Sequence, residues 1–190
     1  MAPKIKITKE MILNGAFELV REAGAEALNA RSLADKLQCS TQPILYQFRT
    51  MDEIREAVYR RADDFHTQSL LAGVESAADP FLSIGLAYIR FGYEEKNLFR
   101  FLFQTNQLGG QSLLSLLEAP EMAPLLAVAQ RELACGEDEI KEKFLVFAVA
   151  VHGYASLLAN NALESDEKQA EKTVVMVFEG MKKNGDEEIV

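Results

Sequence analysis

Residues Asn29–Phe48 read NARSLADKLQCSTQPILYQF, two short apolar patterns separated by a tight polar turn. Asn29 offers a side-chain oxygen to the unpaired N–H groups of a first helical turn. Leu33, Ala34 and Leu37 follow at helical spacing, with Ala34 small where a second helix must cross closely. Ser40 is placed to cap that second helix, and Pro43 falls in its first turn, where a missing N–H costs little. Ile44, Leu45 and Phe48 are expected on the inner face, and Thr41, Gln42, Tyr46 and Gln47 facing outward. This is the layout of a helix-turn-helix, whose second helix reads base edges in the major groove. An αα-hairpin inside a helical bundle satisfies the same spacing. The turn departs from the usual motif, because Gln38 stands where glycine commonly takes the left-handed conformation, at a cost of roughly 1 kcal/mol.

Working outward, Thr8 and Glu10 open a helix over Lys9–Ala23, KEMILNGAFELVREA, which Gly24 stops. Downstream, Thr50 and Glu53 form a capping box that opens a helix running to about Leu71. With these flanks, residues 8–54 resemble the N-terminal domain of the TetR (tetracycline-repressor-like) family of bacterial transcription regulators. The matching stretches are Ser32-Leu33-Ala34-Asp35-Lys36-Leu37-Gln38-Cys39-Ser40 and Leu45-Tyr46-Gln47-Phe48, followed by Asp52-Glu53-Ile54. Besides Gln38, two residues depart from the family pattern. Leu45 replaces the first aromatic, and Met51 stands where a phosphate-binding lysine is common. The resemblance implies DNA contacts from Lys9, Arg31, Ser40, Thr41, Gln42, Pro43, Tyr46, Gln47 and Arg49.

The net charge of −9 is unusual for a DNA binder, but it is unevenly spread. Residues 1–50 hold seven Lys/Arg against five acids, a net +2, which leaves −11 for residues 51–190. That split suits a basic head that meets phosphates and an acidic body that discourages non-specific binding. The chain of 190 residues is long enough to bury its own core without a metal or disulfide. Cys39 and Cys135 read as reduced thiols of a cytoplasmic protein, with a redox role the lesser reading. Met1–Thr8 lacks a signal peptide's apolar region, and no run is expected to span a membrane. Lys4 and Lys6 suit either a DNA-contacting arm or an untied terminus.

Past a small, polar break at Gly73–Asp79, Asp79-Pro80 starts a helix bearing Phe81, Ile84, Tyr88 and Phe91. A short aromatic segment, NLFRFLF, covers Asn97–Phe103. Gln104–Ser112 reads as a loop, Leu113–Glu118 and Pro120 or Pro124 to Leu133 as helical pieces. A long helix spans Ile140–Leu163, and a last one about Glu167–Lys182. Val151-His152-Gly153-Tyr154 is similar to the signature of one TetR C-terminal domain type, the WHG type, with Val151 in place of tryptophan. The body of such regulators encloses an apolar pocket, which implies effector contacts from Tyr88, Phe91, Phe99, Phe103, Asn106, His152 and Tyr154. Plain core packing is the competing reading of the same aromatics.

The last two helices each carry two apolar faces. Val174, Val177, Phe178 and Met181 suit the domain core, as do Phe144, Phe147, Val151 and Leu158. The second faces, Val146, Ala150, Gly153 and Leu157 with Thr173, Met176 and Gly180, suit an identical subunit on a two-fold axis.

Asp63 and His66 share a helix face and read as a solvated pair rather than metal ligands. His152 reads as a satisfied core histidine before a ligand contact. No phosphate-binding glycine loop, nucleophile elbow, CxxC or triad spacing is present, so neither enzyme chemistry nor a cofactor is expected. The expected fold is all-α, with a three-helix helix-turn-helix domain over residues 1–50 and a larger helical bundle over 51–190. The expected function is a homodimeric repressor that leaves a palindromic operator on binding a small, largely apolar effector. The rival is a helical small-molecule-binding or enzymatic protein that kept the fold without binding DNA specifically.

Overall fold

The structure, a computed structural model, describes residues 7–72, 74–105, 123–164 and 166–183, the side chains of Glu75, Leu125 and Lys183 excepted. The all-α expectation holds: the described residues form helices and no strand. They are α1 (Lys9–Ala23), α2 (Ala30–Lys36), α3 (Thr41–Gln47), α4 (Met51–Leu71), α5 (Pro80–Glu94), α6 (Lys96–Phe103), α7 (Ala123–Leu133), α8 (Glu137–Ala159) and α9 (Glu167–Lys183), with single 3-10 turns at Ala25–Ala27 and Val74–Ser76. Lys4, Lys6, Asn106, the expected Leu113–Glu118 helix and most of the expected loop before it lie outside the described residues.

Packing gathers the chain into two compact units, Met1–His66 with Glu95–Gln107, and Thr67–Glu94 with Leu108–Val190, counted over their described residues. Residues 51–66 and 95–107 thus pack with the N-terminal helices, although the boundary at residue 50 assigns them to the other part.

In the first unit, local chemistry fixes most helix starts. Thr8 Oγ1 accepts from Met11 N at 3.2 Å, and Asn29 Oδ1 accepts from Arg31 N at 3.1 Å and Ser32 N at 3.0 Å. Thr50 Oγ1 accepts from Glu53 N at 3.2 Å, while the Glu53 carboxylate reaches back to Arg49 N at 2.9 Å. Such caps contribute about 1 kcal/mol each. Ser40 occupies the cap position of α3 but makes no side-chain cap bond. Ile12, Ala16 and Val20 of α1, Leu33 of α2, Ile44 of α3, Ile54 and Val58 of α4, and Leu98 and Phe99 of α6 make the core of this unit. Helix α6 is tied to the end of α1 by polar bonds. Arg21 Nε donates to Glu95 Oε2 at 2.8 Å, with a second contact between the same side chains, and Asn97 Nδ2 donates to the Arg21 carbonyl at 2.9 Å.

The second unit is built on α5 crossing α8. Phe81 of α5 sits 4.2 Å from Phe147 and 5.3 Å from Phe178, ring centre to ring centre. Ile140, Phe144, Val151 and Leu158 of α8, Ala170, Val174 and Met181 of α9, and Ala129 and Leu133 of α7 complete the cluster. Helix α8 ends at Ala159 rather than Leu163, because Asn161 takes a φ of 56° and Ala162 N bonds back to Leu157 O at 2.8 Å. By length and composition alone α8 meets the criterion for a bilayer span, contrary to the expectation that no run would. One stripe of it lies in the helical core, as in any core helix of a folded domain.

Gly92 makes the crossing of α5 with α8 possible. A Cβ there would stand 2.8 Å from Ala155 Cβ and 2.9 Å from the Ala155 carbonyl oxygen, whereas one at Gly153 or Gly180 meets nothing within 4 Å. Gly92→Ala is therefore expected to destabilise by about 1–3 kcal/mol through overpacking. Gly153→Ala and Gly180→Ala remove helix-interior glycines and are expected to leave fold stability unchanged or raised by up to about 1 kcal/mol. Urea unfolding of the three variants followed by circular dichroism checks the contrast.

Candidate functional site

Helices α2 and α3 pack on each other and on α1, joined by a turn whose conformation is set by Gln38. Its φ is 52°. Gln38 N bonds to Asp35 O at 3.1 Å and Cys39 N to Ala34 O at 3.0 Å. That pair is a Schellman ending of α2, which satisfies carbonyls the helix would otherwise leave open.

The short α3 spans seven residues, of which Ile44 is buried completely. Ser40, Thr41, Gln42 and Tyr46 are exposed, Pro43 is half-buried, and Arg31, Arg49 and Lys9 are exposed. Gln47 is half-buried, and its amide donates to the Ile7 carbonyl at 3.2 Å, tying the residues before α1 to α3. Lys9 Nζ lies 5.3 Å from the centre of the Phe48 ring, next to the C-terminal end of α3. Leu45 corrects the inner-face expectation: it is 47% exposed. One residue on an α-helix is about 100° of rotation, so a neighbour of Ile44 on so short a helix turns away from the stripe that Ile44 defines.

Charge pairing separates the cations of this unit. Arg21, Lys36, Arg55, Arg60 and Arg61 each meet a carboxylate, respectively that of Glu95, Glu22, Asp52, Glu56 and Glu10. Lys9, Arg31 and Arg49 make no ion pair among the described residues. They stand in the first turn of α1, in the first turn of α2, and just after the C-cap of α3. No charged residue lies within α3 itself.

The residues assigned to an effector fall in both units. Phe99 and Phe103 of α6 belong to the first, with ring centres 5.0 Å apart. Tyr88, Phe91, His152 and Tyr154 belong to the second, and Asn106 lies outside the described residues. Tyr88 Oη and His152 Nδ1 are 2.9 Å apart, joining α5 to α8. Burial pushes the Tyr88 hydroxyl far above the usual tyrosine range and lowers the His152 imidazole. At neutral pH Tyr88 therefore keeps its proton and His152 is neutral, and the two side chains share one hydrogen bond. The Tyr154 hydroxyl is also buried and has no hydrogen-bond partner among the described residues.

On the second faces of α8 and α9, Val146, Leu157 and Met176 are exposed, as are Gly153 and Gly180, while Ala150 and Thr173 are half-buried. Val149 and Val175, which the helical patterns left unassigned, are exposed beside them. Val149 is detectable in sequence only as a further apolar residue three positions after Val146.

His66 contradicts the solvated-pair reading with Asp63. It is buried, its ring lies 5.2 Å from that of Phe103, and burial lowers its pKa to about 4. No group of three or more His, Cys, Asp or Glu suited to a metal occurs among the described residues. No protein-family model and no curated protein sequence matches the chain.

The buried imidazole links stability to pH with a definite sign. An unfolded histidine takes up a proton near pH 6.5, whereas His66 in the fold stays neutral down to about pH 4. Between those values the unfolded state binds more protons, so stability falls as pH falls, by about 1.4 kcal/mol per pH unit at most. Denaturant midpoints of the wild type and His66→Leu are taken from pH 7.5 to 4.5, and the wild-type midpoint is expected to fall more steeply with pH than that of the variant.

Proposed function

We propose that the chain is an operator-binding transcription regulator of the TetR kind, a homodimeric repressor whose second unit takes up a small, largely apolar effector. The observation that carries this reading is the surface around α3. In a chain of net charge −9, the exposed cations of the first unit without an ion pair among the described residues are Lys9, Arg31 and Arg49, in the first turns of α1 and α2 and just after α3, a short, uncharged helix that exposes Thr41, Gln42 and Tyr46. Unpaired Lys and Arg are what a phosphate backbone rewards, because each contact releases condensed counterions. Phosphate contacts set position and orientation, while base contacts carry sequence information. Lys9, Arg31, Arg49 and the Tyr46 hydroxyl serve the first task and Gln42 the second, since glutamine can bond adenine at both N6 and N7.

Gln42→Ala is expected to cost about 1–3 kcal/mol at one base position and to relax preference there. Lys9→Ala is expected to weaken all sequences about equally and to lower the salt slope by about one. Fluorescence anisotropy on DNA upstream of its own gene, at several salt concentrations, checks both. Equal loss on every operator variant for Gln42→Ala overturns its assignment, and salt-independent binding overturns the operator reading.

Dimerisation is supported by the exposed second faces of α8 and α9, with Met176 65% exposed and Gly153 and Gly180 open to close approach. An apolar surface of this kind on a soluble chain suits a self-complementary contact, which a two-fold axis provides. Met176→Arg is expected to give folded monomer by light scattering, with operator affinity lost, because two half-sites are then no longer joined. A dimeric Met176→Arg protein sinks this interface.

The effector reading rests on Tyr88, His152 and Tyr154, polar groups set among apolar side chains in the second unit, a composition typical of ligand sites. A ligand favouring one body conformation shifts the population between DNA-competent and incompetent states. Neither catalysis nor a cofactor is part of this proposal, and its setting is the cytoplasm.

A further inference from the structure

We propose that Leu45 is a specificity-determining residue that reads a thymine of the operator by packing on its C5-methyl group. The inference rests on the operator-binding reading above and adds the chemistry of one base position. Among the described residues of the first unit, the exposed large hydrophobics are just two, Leu45 at 47% and Tyr46 at 87%, and they are adjacent on α3. A lone exposed leucine is ordinary on a protein surface. Here the apolar surface is confined to α3, at whose C-terminal end Lys9 and Arg49 stand, and these two with Arg31 of the first turn of α2 are the exposed cations of the unit without an ion pair among the described residues. Those charges oppose an apolar protein partner, which would have to desolvate them, and they complement a polyanion. In the major groove of DNA the apolar group on display is the thymine methyl, and a side chain without hydrogen-bonding atoms can recognise nothing else there. Tyr46 carries a hydroxyl and can serve a phosphate; Leu45 cannot.

Spacing links this contact to Gln42. The two residues are three apart and both exposed, which separates them by about 4.5 Å along the helix axis. Successive base pairs rise by about 3.4 Å. Leu45 and Gln42 therefore address the same or neighbouring base pairs, and the operator half-site carries its methyl-dependent thymine within two base pairs of the adenine that Gln42 reads.

The test uses the full chain. Sites are selected from a random duplex pool, and each thymine of the enriched site is then replaced by deoxyuridine, which removes only the methyl group. At one thymine per half-site, wild-type affinity is expected to fall about fourfold, the value of one buried carbon. Leu45→Ala is expected to bind the thymine and deoxyuridine duplexes alike, and Leu45→Met to keep the distinction. Because Leu45 is exposed, circular dichroism of both variants is expected to match the wild type. An enriched site with no methyl-sensitive thymine, or equal sensitivity in Leu45→Ala, overturns this inference and leaves operator binding standing. A pool with no enriched sequence overturns operator binding and the inference together. Loss of dimer in Leu45→Ala by light scattering assigns the residue to a second copy of the chain and likewise overturns it.

Discussion

The first unit depends on the bend that Gln38 makes between α2 and α3. A φ of 52° at a residue with a side chain is unfavourable by roughly 1 kcal/mol. Two backbone bonds, Gln38 N to Asp35 O and Cys39 N to Ala34 O, repair the open end of α2 at the same point. The bend is further held from beneath. Leu37 lies so close to α1 that a Cβ at Gly15 would stand 2.9 Å from its Cδ2. With α2 pressed on α1 and the chain turned at Gln38, Ile44 enters the core and the opposite side of α3 faces solvent. Exposure of Gln42, Leu45 and Tyr46 follows from that single bend.

Electrostatics acts by selection rather than by total. Isolated surface ion pairs contribute little stability, and the five pairs that hold Arg21, Lys36, Arg55, Arg60 and Arg61 are mostly exposed. Among the described, exposed cations of the first unit they leave Lys9, Arg31 and Arg49 without a carboxylate. These three stand in the first turns of α1 and α2 and just after α3, although the chain as a whole is acidic. The Arg21–Glu95 pair differs from the others, since it joins α1 to α6 together with the Asn97 bond to the end of α1.

In the second unit, close approach of backbones does what polar bonds do in the first. Gly92 lets α5 lie against Ala155 of α8, and this closeness brings Tyr88 within hydrogen-bonding distance of His152. A helix that is apolar nearly all round can bury only one side in such a layer. Val146, Val149 and Leu157 are left over on α8, as Met176 is on α9, for a reason of geometry rather than of composition.

Local patterns settled what local forces control. Caps at Thr8, Asn29, Thr50 and Asp79, the stop at Gly24 and the 3.6-residue periodicity were sufficient for the helices and for most of their ends, because a cap and its N–H partners lie within three residues of each other. The inward stripes of α8 and α9, and the exposure of Thr41, Gln42 and Tyr46, were legible for the same reason. Leu45 and His66 were not. An apolar residue beside Ile44 reads as core, and a histidine next to Asp63 reads as surface, until the neighbouring helices are in place. Burial is a property of what packs on a residue from elsewhere in the chain: α6, some thirty residues further on, brings Phe103 against His66, and among the described residues no distant segment buries Leu45. The Tyr88–His152 bond and the contact of Gly92 with Ala155 are of the same kind, joining residues more than sixty positions apart. The sequence by itself determined the helices and the faces they offer; only the tertiary structure decided which faces and which charges were left without a partner.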